Sequence, residues 1–66
     1  MKNRIKECRK AVGMTQTELG NIVGLAENTI SRYELNEREP KLVMWERIAK
    51  ALHVSPAYLV GWSNAK

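Results

Sequence analysis

Along residues 2–12 the apolar side chains Ile5, Cys8 and Val12 recur at i, i+3 and i+7, with charges filling the rest of the helical circumference. Gly13 follows where a left-handed helix end is wanted. The spacing predicts a first helix with one narrow inward stripe. Thr15-Gln16-Thr17-Glu18 fits a capping box, in which a Thr oxygen accepts from the third backbone N–H and the Glu reaches back to the cap's own N–H. A second helix is expected from there to about Val23, with Leu19, Ile22 and Val23 inward, and Gly24 ends it. After Gly24-Leu25-Ala26 a third helical pattern runs from about Glu27 to Glu34, with Ile30 and Tyr33 on one face. Leu35 to Lys41 reads as a polar turn, because Asn36 tolerates the left-handed region and Pro40 disfavours helix in the residue before it. The fourth stripe is Leu42, Trp45, Ile48, Ala49 and Leu52, broken at His53-Val54. Ser55 as cap and Pro56 at the first helical position start the last helix, which carries Tyr58, Leu59 and Val60 before Gly61. No stretch alternates apolar and β-branched with polar residues, so no strand is expected. The predicted fold class is all-α, five short helices in a single domain over residues 1–66.

Length and charge narrow the picture. A chain of 66 residues has no room for a second domain. Eleven Lys/Arg against seven Glu leave +4, and residues 1–10 hold five bases and one acid, so the excess sits wholly in that segment. A basic balance suits a polyanionic partner and also a solubilising terminus. Lys2, Arg4, Lys6 and Lys10 accordingly read either as a solvated face of helix one or as a fringe against phosphates. One cysteine and one histidine exclude an internal disulfide and a closed zinc site. Cys8 is expected to be a small core residue. No apolar run approaches a membrane span and the start lacks a signal peptide's hydrophobic stretch, so a cytoplasmic protein without a membrane partner is expected. With no Asp, no Gly-rich phosphate loop and no credible nucleophile–base pair, neither catalysis, a cofactor, a bound metal nor a small-molecule substrate is expected.

Two short helices joined by a three-residue turn containing Gly have helix-turn-helix spacing, in which the second helix can lay its outer face in the major groove of DNA. Small helical proteins also make such corners for packing alone. Glu27, Asn28, Ser31 and Arg32 lie together at i, i+1, i+4 and i+5, opposite Ile30, and all four carry hydrogen-bonding side chains. Arg32 could bond guanine O6 and N7, and Asn28 adenine N6 and N7. A carboxylate at Glu27 is repelled by phosphates; it could accept from cytosine N4, exclude wrong sequences, or pair with a neighbouring base.

The string Met14-Thr15-Gln16-Thr17-Glu18-Leu19-Gly20, then Val23-Gly24-Leu25, Thr29-Ile30-Ser31-Arg32-Tyr33-Glu34, Pro40 and Ile48-Ala49-Lys50-Ala51-Leu52-His53-Val54-Ser55 resembles the phage Cro/repressor (XRE-type) helix-turn-helix family. The resemblance implies a five-helix, lambda-repressor-like DNA-binding domain whose third helix reads bases through Glu27, Asn28 and Arg32. It implies that Gln16 bonds a backbone phosphate and braces the first reading residue, that Thr17, Asn36, Arg38 and Lys41 touch phosphates, and that Arg9 and Glu34 form a partly buried ion pair. The chain departs from the family at Glu27, where neutral residues are common, at Ala26, where a Ser or Thr cap is usual, and at His53, where Gly is frequent.

The expected function is therefore that of a sequence-specific transcriptional regulator, a repressor bound to a near-palindromic operator in double-stranded DNA as a homodimer. The alternative is an antitoxin or restriction-modification controller that autoregulates its operon and could bind a partner protein. Tyr58, Val60 and Trp62 crowd apolar side chains near the end of the chain and read as the dimer interface in preference to a cover for the core. Val43 and Met44 could extend that surface.

Overall fold

The structure, a computed structural model, describes residues 3–66; Met1 and Lys2, and with them the charge read at Lys2, lie outside the described residues. Five helices follow one another, α1 (Ile5–Ala11), α2 (Gln16–Val23), α3 (Glu27–Glu34), α4 (Leu42–Ala51) and α5 (Pro56–Val60), and no strand forms among the described residues. Helix α1 is shorter than its charge-and-apolar pattern, for a local reason. The Asn3 side chain accepts from the Ile5 N–H, and the Arg4 N–H donates to the Leu59 carbonyl at 2.8 Å, so the backbone before Ile5 is committed elsewhere.

Every helix sends at least one fully buried side chain to the centre: Ile5, Leu19, Ile30, Ile48 and Leu59, joined by Leu52 just past α4. Cys8, Val23, Tyr33, Trp45, Ala49 and Val60 complete the core. Helix α2 packs on both α3 and α4, while α1 bridges α3 and α5. Three expected core positions fall outside it: Val12 is 41% exposed, Ile22 58% and Leu42 71%. Each lies at a helix end or one turn beyond the contact. These helices have only seven to ten residues, and Val12, Ile22 and Leu42 stand at or next to their ends, where the stripe that continues along the sequence runs past the packed region. Arg9 is buried on α1 instead, at 8% exposure.

The turns carry the conformations that their residues suggest. Gly24 ends α2 with φ +79° and donates to the Gly20 carbonyl, which also accepts from Leu25 at 2.8 Å. A Cβ on Gly20 would stand 2.5 Å from the Leu25 carbonyl oxygen, so the tight corner between α2 and α3 closes on a residue without a side chain. Asn36 after α3 and His53 after α4 both take φ of 60°, and each is followed by an N–H that reaches back to the helix, Glu37 to the Arg32 carbonyl and Val54 to that of Ala49. His53 thus acts as the helix end that a glycine would otherwise supply.

The chain closes on itself through Arg4. Its guanidinium donates to the carbonyls of Tyr58 and Ser63 and to Asn64 Oδ1, and it stacks 4.2 Å from the centre of the Tyr58 ring. Of the two readings of the α1 bases, Arg4 fits neither: its charge is committed to the C-terminal segment. Lys6 and Lys10 remain exposed.

Candidate nucleic-acid interface

The first turn of α2 is fixed before any partner arrives. Thr15 Oγ1 accepts from the Glu18 N–H at 3.1 Å, and Glu18 Oε1 accepts from the Thr15 N–H at 2.8 Å, which completes the capping box. Gln16 and Thr17 then project from a rigid helix start.

Behind them lies a polar network that joins three helices. Arg9 on α1 donates from Nε to Glu34 Oε2 at 2.7 Å and from Nη2 to Glu34 Oε1 at 3.2 Å, while its Nη1 donates to the Met14 carbonyl at 2.8 Å. Gln16 Nε2 adds a third donor to the same carboxylate, at 3.0 Å. The Arg9 and Glu34 side chains are only 10% and 3% exposed, and no buried side-chain nitrogen or oxygen among the described residues lacks a partner. A desolvated carboxylate with three donors and a guanidinium with three acceptors hold each other in one geometry. That geometry fixes the start of α2 against the end of α3.

The outer face of α3 is open. Glu27, Asn28 and Arg32 are exposed, and Ser31 beside them is half-buried. Ala26 gives α3 no side-chain cap, so the Glu27 carboxylate in the first turn is the feature that offsets the helix's positive end. The structure corrects the brace expected for Glu27. Gln16 turns its amide to Glu34, and it is Thr17 Oγ1 that donates to Glu27 Oε2, at 3.0 Å.

Asn36 stands at the turn beyond α3, its Oδ1 accepting from Asn3 Nδ2, which also donates to the Tyr33 carbonyl. Arg38 and Lys41 are exposed on the following loop. Gln16 thus sits at the start of α2, which touches α3 through Glu34, and Asn36, Arg38 and Lys41 sit along the 35–41 turn that follows α3.

Tyr58, Val60 and Trp62 do not form one surface. Val60 is 5% exposed and belongs to the core, because α5 is a single turn whose inward face takes both Leu59 and Val60. Tyr58 lies half-buried under Arg4. Of the three, Trp62 alone is exposed, at 74%, on the edge of an apolar groove of about 440 Å³ lined also by Leu42, Trp45, Pro56, Ala57 and Val60. Val43 and Met44 line a different groove, with Lys41 and Arg47, so they do not extend this one. Leu42 does, and its place at the very start of α4 was the available signal. Among the described residues no group of His, Cys, Asp and Glu could hold a metal, and no helix is long and apolar enough to cross a membrane.

Comparison with known proteins agrees with this geometry. A family described as helix-turn-helix matches residues 5–59. An HTH-type transcriptional regulator of Methanothermobacter thermautotrophicus is 36% identical over the full length of both chains. Repressor protein C2 of Salmonella phage P22 is 38% identical over 91% of this chain, which spans 28% of that repressor. The crystal structure of the P22 c2 repressor in complex with a synthetic operator superposes with a TM-score of 0.85, at 37% identity over 91% of each chain. The restriction-modification controller protein C.AhdI from Aeromonas hydrophila gives a TM-score of 0.78, at 31% identity over 83% of each chain. With the capped α2, the glycine corner, the exposed α3 face and these relatives together, the chain belongs to the phage Cro/repressor (XRE-type) helix-turn-helix family of transcriptional regulators.

Proposed function

We propose that this protein is a repressor that binds a near-palindromic operator in double-stranded DNA as a homodimer and acts by occupying promoter DNA in the cytoplasm. The observation that carries this reading is the exposed, hydrogen-bonding face of α3 held at fixed attitude by the buried Arg9–Glu34–Gln16 network. A recognition surface must be rigid, because any freedom it has in solution is lost on binding. With α3 in the major groove, Arg32 is suited to guanine and Asn28 to adenine, each through two parallel hydrogen bonds, with Ser31 beside them. The positive end of α2, the Gln16 side chain, Asn36, Arg38 and Lys41 face the flanking backbone, where an amide, a helix N-terminus or a cation suits a phosphate.

One such unit reads only a few base pairs, whereas a two-fold pair doubles the contacts and sets the half-sites about 34 Å apart. The Leu42–Trp62 groove is the apolar surface best placed to join two copies, and its small size favours an equilibrium that operator DNA drives toward the dimer. The similarity to a restriction-modification controller supports, as a second reading, a regulator of its own operon that uses the same α3 face.

Selection of bound duplexes from random DNA tests the proposal. Two inverted half-sites are expected, and Arg32→Ala should lose about 1–3 kcal/mol of specific affinity and relax the preference at one or two positions in each. A uniform loss on all duplexes would make Arg32 a phosphate contact. Selected sites without inverted symmetry would overturn the homodimer.

A further inference from the structure

The Thr17–Glu27 hydrogen bond settles a conflict between two roles, and its proton count decides which one Thr17 can hold. A threonine hydroxyl has one proton to give. In this structure that proton goes to Glu27 Oε2 at 3.0 Å. Phosphate oxygens accept and do not donate, so Thr17 cannot hold a phosphate through the same proton while it holds Glu27. The neighbouring amide differs: Gln16 Nε2 carries two protons, so it can bond the buried Glu34 and still offer one to a phosphate.

We infer that Thr17 is the positioning residue of a cytosine reader: it pins one oxygen of Glu27 and leaves Oε1 to accept from the exocyclic amine of a cytosine beneath the start of α3. The inference rests on the reading of α3 as the base-contacting helix and adds the base that it selects there. A carboxylate on the major-groove floor is an acceptor, so guanine, with N7 and O6, and thymine, with O4, repel it. Two base edges offer a donor. The adenine amine is flanked by acceptors on both sides, its own N7 and the O4 of its partner thymine, whereas the cytosine amine has a C–H edge on one side. A carboxylate free to swing could avoid those acceptors; one fixed by Thr17 cannot. The pinned geometry thus converts a general aversion to acceptors into a preference for cytosine. Because Ala26 supplies no cap, Glu27 also lies against the uncapped positive end of α3, which keeps its carboxylate at the helix start and within reach of the groove floor.

The experiment is selection from random duplexes with the full chain and its Thr17→Val and Thr17→Ser variants, followed by titration on the selected operator. Thr17 is exposed, so valine of nearly the same shape should leave the thermal unfolding midpoint in place. The parent is expected to select cytosine at one position of each half-site and to lose about tenfold when that base is replaced by 2-pyrimidinone, which lacks only the amine. Thr17→Val should flatten the preference at that position while affinity for unrelated duplexes is unchanged, and Thr17→Ser, which restores the proton, should restore it. Equal weakening on every duplex with cytosine preference intact would make Thr17 a phosphate contact and overturn the inference. Indifference to the base at that position, with clear selection under Asn28 and Arg32, would overturn it while leaving the operator-binding reading in place. Absence of any base selection by the parent would instead defeat that reading.

Discussion

Removing the Glu34 carboxylate tests how much of the fold depends on one polar network. In Glu34→Ala the Arg9 guanidinium keeps its bond to the Met14 carbonyl but loses the acceptors of Nε and Nη2, and Gln16 Nε2 loses its own. Arg9 is only 10% exposed along its side chain, so water replaces those acceptors poorly. Breaking a buried pair from one side costs about 3–5 kcal/mol, because an uncompensated charge remains. A domain of 66 residues has about 3–10 kcal/mol in all, at roughly 0.05–0.15 kcal/mol per residue. The variant is therefore expected to be largely unfolded or close to it. Urea titration followed by the fluorescence of buried Trp45 should show the midpoint falling by about 3–5 M, or no folded baseline at all, taking about 1 kcal/mol per M for a chain this small. The double variant Arg9→Met with Glu34→Leu removes both charges and fills similar volume, so it should recover most of the loss. A loss below about 0.5 kcal/mol in Glu34→Ala would refute the reasoning, since surface pairs are worth that little. So would a double variant as unstable as the single one.

Ala26→Ser places an acceptor at the extended position before α3 and should raise stability by about 1 kcal/mol in the same titration; no gain would mean that the introduced hydroxyl fails to reach the N–H of Thr29. Trp62→Ala should lower cooperativity on a full operator, measured by sedimentation and titration, and spare half-site binding, since Trp62 is 74% exposed and lies outside the core cluster. Burial pushes the Cys8 thiol above its ordinary range and the Glu7 charge adds to the shift, against weaker opposing effects of Arg4 and Lys66. Cys8 should then react slowly with a disulfide reagent at pH 8 until urea unfolds the chain. Because the folded value is the raised one, the neutral thiol's contribution to stability is complete below the unfolded value and is lost as pH rises through the folded value.

The network that stabilises the fold also orients α3, the helix proposed to read bases. Glu34 ends α3 and Gln16 begins α2, so a single buried carboxylate ties the start of α2 to the end of α3, the two helices proposed above to face phosphates and bases. On that proposal stability and DNA reading are coupled through it, and a variant that loosens Glu34 without unfolding the chain should broaden base preference at several positions together.

Sequence alone determined the number, order and type of the helices, because those depend on local chemistry: the Thr15–Glu18 capping box, the left-handed ends at Gly24 and Asn36, and the Ser55-Pro56 start are each decided within four residues. It also placed Glu27, Asn28 and Arg32 on one outer face, since a helical period fixes which residues are neighbours. What it left to the tertiary structure was where each stripe stops and which polar groups spend their donors on one another. Val12, Ile22 and Leu42 have the right spacing to be core and are exposed, because they stand at the ends of short helices, beyond the packed region. Val60 went the other way, drawn into the core by the single turn of α5. Arg4 reads as one base among several until the chain's two ends meet and its guanidinium finds the carbonyls of Tyr58 and Ser63. Gln16 and Thr17 are adjacent in the sequence, and each carries a hydrogen-bond donor. Only the approach of α3 sends the first to Glu34 and the second to Glu27, since a hydrogen bond depends on distances that no spacing along one chain segment contains.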